Sequence, residues 1–106
     1  MGRLELRPNC ELCDKDLPPQ SAEARICSYE CTYCADCAEN VLHNVCPTCG
    51  GNFVPRPIRP LNAWRPEEKL GLLNTPASTR RVNTNYTMEN ILAFVAKLKD
   101  IGPKDR

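Results

Sequence analysis

The chain has 106 residues and a formal net charge of +1, and its eight cysteines all lie between Cys10 and Cys49. This length limits the protein to one small domain with appendages. The longest apolar run, residues 91–96, is too short for a membrane-spanning helix, so we expect no membrane partner. The charged N-terminus does not resemble a secretory signal, which predicts a cytoplasmic protein. In that reducing compartment, clustered cysteines indicate metal ligands rather than disulfides.

The charge is divided unevenly along the chain. Residues 1–53 carry a net charge of −4 and residues 54–106 a net charge of +5. Metal sites built from thiolates would make the first half more acidic still. We therefore expect the two halves to attract one another, or the basic half to face an anionic partner.

The pattern predicts three segments. Residues 1–54 hold every cysteine and are expected to form a small zinc-stabilised domain. Residues 55–66 contain four of the ten prolines. Because neither a helix interior nor a central strand tolerates that spacing, these residues are expected to form an extended linker rich in proline and arginine. Residues 67–106 are expected to form a helical C-terminal tail.

Two short helices are predicted before the C-terminal one. Asp36 and Glu39 match a capping box, which would begin a helix just after Cys34. Pro66 suits the first position of a helix over residues 66–73.

A longer helix is predicted over residues 87–101, with Thr87 as its N-cap and Gly102-Pro103 as its end. At 100° per residue, its apolar side chains cover about half of the circumference. Because an isolated helix of this length is marginal in water, we expect this face to dock against another surface. The alternatives are the zinc domain, the 66–73 helix, and the same helix of a second chain in a homodimer.

The cysteines form four close pairs: Cys10/Cys13, Cys27/Cys31, Cys34/Cys37 and Cys46/Cys49. Eight soft ligands suit two tetrahedral Zn²⁺ ions, each held by four sulfurs. Iron is the chemical alternative, since a tetrahedron of sulfurs also suits it. The spacing leaves the grouping open. Either consecutive pairs share a metal, or the first pair shares with the third and the second with the fourth.

The order of these pairs, the short Cys27–Cys37 block and the closing Cys46-Pro47-Thr48-Cys49 resemble a RING finger, with Cys31 where that family usually has histidine. A LIM domain is similar in ligand order but has a longer second loop. The RING resemblance implies a small α+β domain with a cross-brace. It then assigns the ligands as follows: Cys10, Cys13, Cys34 and Cys37 in site 1, and Cys27, Cys31, Cys46 and Cys49 in site 2.

The same resemblance bears on activity. Leu12 resembles the apolar residue with which RING ubiquitin ligases contact their conjugating enzyme, whereas Gly50 stands where active ligases typically carry a basic residue. The only histidine, His43, is expected to be exposed and to serve no site. We therefore expect no catalytic residues and no enzyme activity. The predicted function is a non-enzymatic protein-interaction adaptor, and a ubiquitin-ligase-like protein is the first alternative.

A second resemblance covers about residues 3–82. The stretches LELRPNCELC, ARICSYECTYCADCAENVL, CPTCGG and PASTRRV are similar to a small bacterial cysteine-rich family of unknown function. This resemblance implies zinc binding and transfers no activity.

The basic half supplies the second alternative, a zinc-finger nucleic-acid binder. Five arginines can contact phosphates, and Trp64 can stack on an unpaired base. These arginines are Arg56, Arg59, Arg65, Arg80 and Arg81. The alternative is a solubilising surface, with Trp64 packed on the zinc domain. The chain has no long basic run, so a protein partner is the first expectation.

Overall fold

The computed structural model of the chain describes residues 3–106. Its sheet has three short antiparallel strands, β1 (Ala24–Ile26), β2 (Thr32–Cys34) and β3 (Val54–Pro55), in the order β2-β1-β3. The central strand β1 places Ile26 opposite both Thr32 and Val54. The chain is thus a small domain that combines an antiparallel sheet with one helix, which agrees with the expected α+β class.

The turn between β1 and β2 is built by the second cysteine pair. The backbone N–H of Cys27 donates to the carbonyl of Cys31 at 3.1 Å. Glu30 closes the turn with φ of 71°, a left-handed conformation that few side chains adopt. The hairpin therefore holds Cys27 and Cys31 side by side at one end of the sheet.

A helical turn, Cys37–Val41, follows β2 directly. The helix predicted after Cys34 is confirmed, but the capping box is wrong. Asp36 already has helical backbone angles and makes no capping bond; instead its carboxylate accepts a hydrogen bond from the Asn40 side chain at 2.7 Å. Because the chain enters the helix straight from the strand, Asp36 has no extended position from which to cap it.

The helix predicted over residues 66–73 is shorter than expected. Only Pro66–Glu68 are helical, in one 3₁₀ turn. Lys69 ends that turn with φ of 54°, because a left-handed residue reverses the chain direction.

The C-terminal helix α1 spans Met88–Leu98 and ends three residues earlier than predicted. The predicted cap is confirmed, since the Thr87 hydroxyl accepts a hydrogen bond from Asn90 N at 3.1 Å. Among the described residues, none of the helices is both long and apolar enough to cross a bilayer.

Helix α1 docks on the cysteine-rich half of its own chain. Ile91 and Val95 are fully buried in the core, and Phe94 and Leu98 pack against its edge. Gly50, just after the last cysteine, lies under this helix: a Cβ there would come within 3.2 Å of Leu98 Cδ1. The docking prediction is confirmed for the intramolecular partner, and the homodimer stays a prediction.

The remaining core is small and surrounds the cysteines. Tyr33 of β2 is fully buried and meets Phe53 edge-on, with ring centroids 5.3 Å apart. Leu17, Leu42 and Val45 fill the space around this aromatic pair. Because the core contains so few large apolar side chains, we expect the domain to need a source of folding stability besides hydrophobic burial.

The segment expected to be a linker makes specific contacts in its first half. Val54–Pro55 pair with β1, and Arg56 is 4% exposed. The Arg56 guanidinium donates to three backbone carbonyls, those of Arg7, Leu17 and Pro18, at 2.9–3.2 Å. These bonds tie the start of the proline-rich segment to the N-terminal half. The division of the chain into three segments stays a prediction.

Candidate metal centres

The first cluster gathers two cysteine pairs that are distant in sequence. The sulfurs of Cys10, Cys13, Cys34 and Cys37 all lie within 4.8 Å of one another. Cys10 and Cys13 come from a tight turn, the first knuckle, whereas Cys34 ends β2 and Cys37 begins the helical turn. Cys13 is exposed and the other three are buried.

The second cluster is built around the β1–β2 turn. The sulfurs of Cys27, Cys31 and Cys46 lie within 4.8 Å of one another, and all three residues are buried. Cys49 is half-exposed in the same knuckle as Cys46, and it is the one predicted ligand whose sulfur is not within that distance of all three. Two backbone hydrogen bonds of 2.8 Å, from Cys46 N to the Gly51 carbonyl and from Gly50 N to the Cys46 carbonyl, close the turn that carries both cysteines. Cys49 is therefore the natural fourth member of this group.

The two clusters are interleaved along the chain. The first cysteine pair joins the third, and the second joins Cys46 of the fourth. Strand β2 links them, because Cys31 precedes it and Cys34 ends it. Three residues of extended chain place the two clusters on the order of 10 Å apart.

Backbone amides stabilise a sulfur in every cysteine pair. N–H groups donate to Cys10 from Cys13 at 3.5 Å and to Cys34 from Cys37 at 3.4 Å. In the second cluster, Tyr29 N donates to Cys27 and Gly51 N donates to Cys49, both at 3.3 Å. Such bonds favour the thiolate, which is the form that binds a metal.

The thiols of each cluster influence one another's ionisation. Burial raises the pKa of Cys10, and it raises that of Cys37 as well. In the second cluster, hydrogen bonds with Cys27 and Cys46 lower the pKa of Cys31 to about 3. Several crowded thiolates cannot all carry a charge in a buried space unless a cation neutralises them.

The sulfur geometry fits a tetrahedral metal. With metal–sulfur bonds of about 2.3 Å, adjacent sulfurs of a tetrahedron lie about 3.8 Å apart. Cys13 Sγ and Cys34 Sγ are 3.8 Å apart. A disulfide would require about 2.05 Å. The donor set and spacing therefore suit a metal ion in each cluster.

Comparison with known proteins identifies the family. Residues 3–59 match the family described as Protein of unknown function (DUF1272). The chain belongs to the DUF1272 family. An uncharacterised protein of Rhizobium meliloti (strain 1021) is 54% identical over 79 residues, which cover 74% of this chain and 84% of the relative. No solved structure matches the chain. All eight cysteines lie in the matched DUF1272 segment, and the expected resemblance to a cysteine-rich family of unknown function is confirmed.

In this DUF1272 protein, residues 78–84 form a strap across the first knuckle. Ser78 N donates to the Leu6 carbonyl, and Thr84 N donates to the Glu11 carbonyl. Between these two bonds, the buried Asn9 side chain both donates to the Val82 carbonyl at 2.9 Å and accepts from Val82 N at 3.2 Å. The strap therefore fixes the turn that carries Cys10 and Cys13.

Ion pairs reinforce the strap. The Arg81 guanidinium bonds Asp14 at 3.0 Å and Asp16 at 2.8 Å. Arg80 pairs with Glu5 at 3.3 Å. Hydrogen bonds from Arg81 and Asn83 hold the pKa of Asp14 below its usual range. The expected attraction between the acidic and basic halves is thus present within one chain.

A buried carboxylate links the two clusters through the backbone. Glu11, between Cys10 and Cys13, is 4% exposed. Its carboxylate accepts hydrogen bonds from Thr32 N at 2.6 Å and from Arg7 at 2.8 Å. Glu11 thereby joins the first knuckle to β2, which leads from Cys31 to Cys34. Sequence reasoning missed both Glu11 and Asn9. The PASTRRV stretch, which ends at Val82, contains a partner of Asn9 but none of Glu11.

The other predicted residues occupy different environments. Leu12 is half-buried against the core, His43 is exposed as expected, and Trp64 is 80% exposed. Four of the five arginines expected to contact phosphates make bonds within the chain: Arg56, Arg59, Arg80 and Arg81.

Proposed function

We propose that this DUF1272 protein holds two Zn²⁺ ions in a RING-like cross-brace and acts as a non-enzymatic protein-interaction module. In this proposal site 1 comprises the first and third cysteine pairs, and site 2 the second and fourth. The observation that carries the proposal is the interleaved grouping of the cysteine sulfurs. If consecutive pairs shared a metal, the first site would instead bring together Cys10, Cys13, Cys27 and Cys31.

Zinc is the metal that this donor set favours. Four thiolates in a tetrahedron are typical of structural zinc sites, and zinc does not change oxidation state when it is exposed to air or reductant. When bound, the metal supplies cross-links that replace a large apolar core. Structural zinc contributes on the order of 10–16 kcal/mol in zinc-finger peptides. That contribution suits a domain whose buried apolar side chains are few.

The donor set also supports a structural rather than a catalytic role. Catalytic zinc sites keep one position open for water or substrate, whereas four cysteines close the coordination sphere. The only histidine is exposed on a left-handed residue of the loop before Cys46, with φ of 47°. His43 is a member of neither cluster, so neither contains a histidine that could act as a base.

A protein partner is supported better than a nucleic acid. Three of the five candidate arginines are engaged within the chain: Arg56 is 4% exposed and bonded to carbonyls, and Arg80 and Arg81 pair with carboxylates. An arginine bound in this way is poorly placed to neutralise a phosphate. Large apolar side chains, by contrast, stay exposed between residues 58 and 73. The ligase-like alternative stays a prediction.

The proposal has two parts, and each has its own measurement. Native mass spectrometry of the reduced protein should find two zinc ions per chain, and iron or a single metal would contradict the metal assignment. A zinc-loaded, tagged chain should capture a defined protein from its host, and a Cys10→Ser/Cys46→Ser chain should not. A set of captured proteins dominated by ribosomal or DNA-binding proteins would favour the nucleic-acid alternative. Discharge of ubiquitin from a charged conjugating enzyme, abolished by Leu12→Ala, would favour the ligase-like one.

A further inference from the structure

Residues 57–75, which we call the arm, present large apolar side chains to solvent. The exposed fractions range from 45% at Leu70 to 80% at Trp64. The exposed apolar side chains of the arm are Ile58, Leu61, Trp64, Leu70 and Leu73. Single exposed apolar residues are normal on protein surfaces, but several on one short segment indicate a binding surface.

The arm has a defined structure despite its exposure. Its two limbs are joined by backbone bonds from Leu72 N to the Pro60 carbonyl at 2.9 Å and from Leu73 N to the Leu61 carbonyl at 3.3 Å. Gly71 makes this approach possible: its φ is 88°, and a Cβ there would lie 2.7 Å from the Asn62 carbonyl oxygen. The backbone that carries the apolar side chains is therefore held in place before any partner binds, which reduces the entropy cost of binding.

A single arginine fixes the base of the arm. Arg59 donates to the Thr75 carbonyl at 2.8 Å, within the arm, and to the Leu4 carbonyl at 2.9 Å, in the N-terminal segment. Both acceptors are neutral, so the positive charge of Arg59 is not cancelled by these bonds.

A notch lies at this base, and the exposed Leu70 forms part of its wall. Its volume is about 220 Å³, less than the roughly 300–1,000 Å³ of pockets for drug-sized ligands. That size suits one large side chain of a partner. The lining residues are Arg3, Arg59, Pro60, Leu70, Gly71 and Thr75.

The charge at the notch has one sign. Two arginines and no carboxylate line it. Within residues 3–106, neither Arg3 nor Arg59 takes part in an ion pair. Glu67 and Glu68 lie on the helical turn of the arm and do not line the notch. An apolar notch with an uncompensated positive rim selects an apolar side chain flanked by carboxylates.

We propose that the arm is the docking surface for an acidic peptide segment of a protein partner, which inserts one large aliphatic or aromatic side chain into the notch between Arg3 and Leu70. This inference rests on the proposed protein-interaction function and adds the surface and the chemistry of the partner. The partner's carboxylates lie against Arg3 and Arg59, and its neighbouring apolar side chains pack on Trp64. Trp64 is the only tryptophan of the chain, so its fluorescence reports occupancy of the arm directly.

The probe is a displayed library of random twelve-residue peptides, selected on the zinc-loaded full-length protein. The selected peptides should share a large apolar residue with Asp or Glu beside it. Synthetic copies should shift Trp64 fluorescence to shorter wavelength on titration, as the indole leaves water.

Matched variants locate the binding surface. Leu70→Ala and Arg3→Ala should each weaken binding of the selected peptides by about tenfold or more. Leu92→Ala and Lys97→Ala remove a similarly exposed leucine and an exposed cation from α1, and binding should change by less than about twofold. Gly71→Ala should abolish binding while two zinc ions remain bound.

Several outcomes would overturn the inference. Selected peptides that are basic, or that bind Leu70→Ala as tightly as the unchanged protein, would place binding elsewhere and leave the proposed function intact. If the selected peptides share no motif while zinc-dependent capture of a protein is still observed, the arm is likewise not the binding surface and the proposed function is unaffected. If the peptides share no motif and zinc-dependent capture of a protein is also lost, the result would count against the proposed function itself. Self-association that Trp64→Ala abolishes would assign the arm to a second copy, and a Trp64 shift with phosphatidylserine vesicles alone would assign it to lipid.

Discussion

The docking of α1 can be tested by the substitution Ile91→Ala, because this side chain is 0% exposed. Fully burying Ile91 and Val95 contributes roughly 1.5–3 kcal/mol each, or about 3–6 kcal/mol together. Replacing a buried isoleucine by alanine typically costs about 2–5 kcal/mol. The substitution therefore removes a large share of the free energy that holds the helix in place.

Once undocked, the helix has little stability of its own. An isolated helix shorter than about 12 residues is marginal in water, and α1 has 11. We therefore expect amides of residues 91–98 to exchange with solvent roughly thirtyfold faster in Ile91→Ala, since about 2 kcal/mol corresponds to that factor. Both zinc ions should remain bound, because no cysteine lies in α1.

The assay is hydrogen exchange of the zinc-loaded protein, followed by mass spectrometry or NMR. Leu92→Ala is the matched control: the neighbouring side chain is 50% exposed, so exchange in α1 should change little. Equal exchange in Ile91→Ala and the unchanged protein would refute the docking. So would equal effects of the two substitutions.

Three further predictions concern the clusters and the strap. Asn9→Ala should destabilise the strap by about 1–3 kcal/mol, because the two hydrogen bonds between the buried Asn9 side chain and the half-buried Val82 backbone are lost. Trypsin should then cut faster after Arg81, and unchanged cutting would contradict this role. Cys31→His should keep two zinc ions in the native mass spectrum, since imidazole suits a tetrahedral zinc site, whereas Cys31→Ser should retain only one. Zinc affinity should fall as the pH is lowered from about 8 to 6. Burial raises the pKa of Cys10 and so favours its protonated form in the absence of metal, which means that zinc binding releases protons. A chelator competition with no pH dependence would show that the thiolates are already ionised.

The features that sequence could predict are those set by local chemistry or by a shared pattern. Thr87 caps α1 because its side chain reaches an amide three residues ahead, and the apolar face of α1 follows from helix periodicity. The interleaved sulfur grouping agrees with what the RING resemblance implied, although spacing alone left it open.

The features that sequence could not predict depend on contacts between distant residues. Four prolines within residues 55–66 correctly exclude a long helix or strand there, but they carry no information about Arg56, whose acceptors lie 38–49 residues away. Asn9 and Val82 are 73 residues apart. The failed capping box at Asp36 has a related cause, since the strand before it fixes its backbone angles. Local propensity gives way in each case to the geometry of the folded chain.

We propose that the first and third cysteine pairs share one metal and that the second and fourth share another. Proton–cadmium correlation NMR of the protein loaded with cadmium-113 identifies the ligands of each metal, because each metal signal couples to the β-protons of its own ligands. We expect one signal connected to Cys10, Cys13, Cys34 and Cys37, and a second connected to Cys27, Cys31, Cys46 and Cys49. A signal connected to both Cys10/Cys13 and Cys27/Cys31 would contradict it.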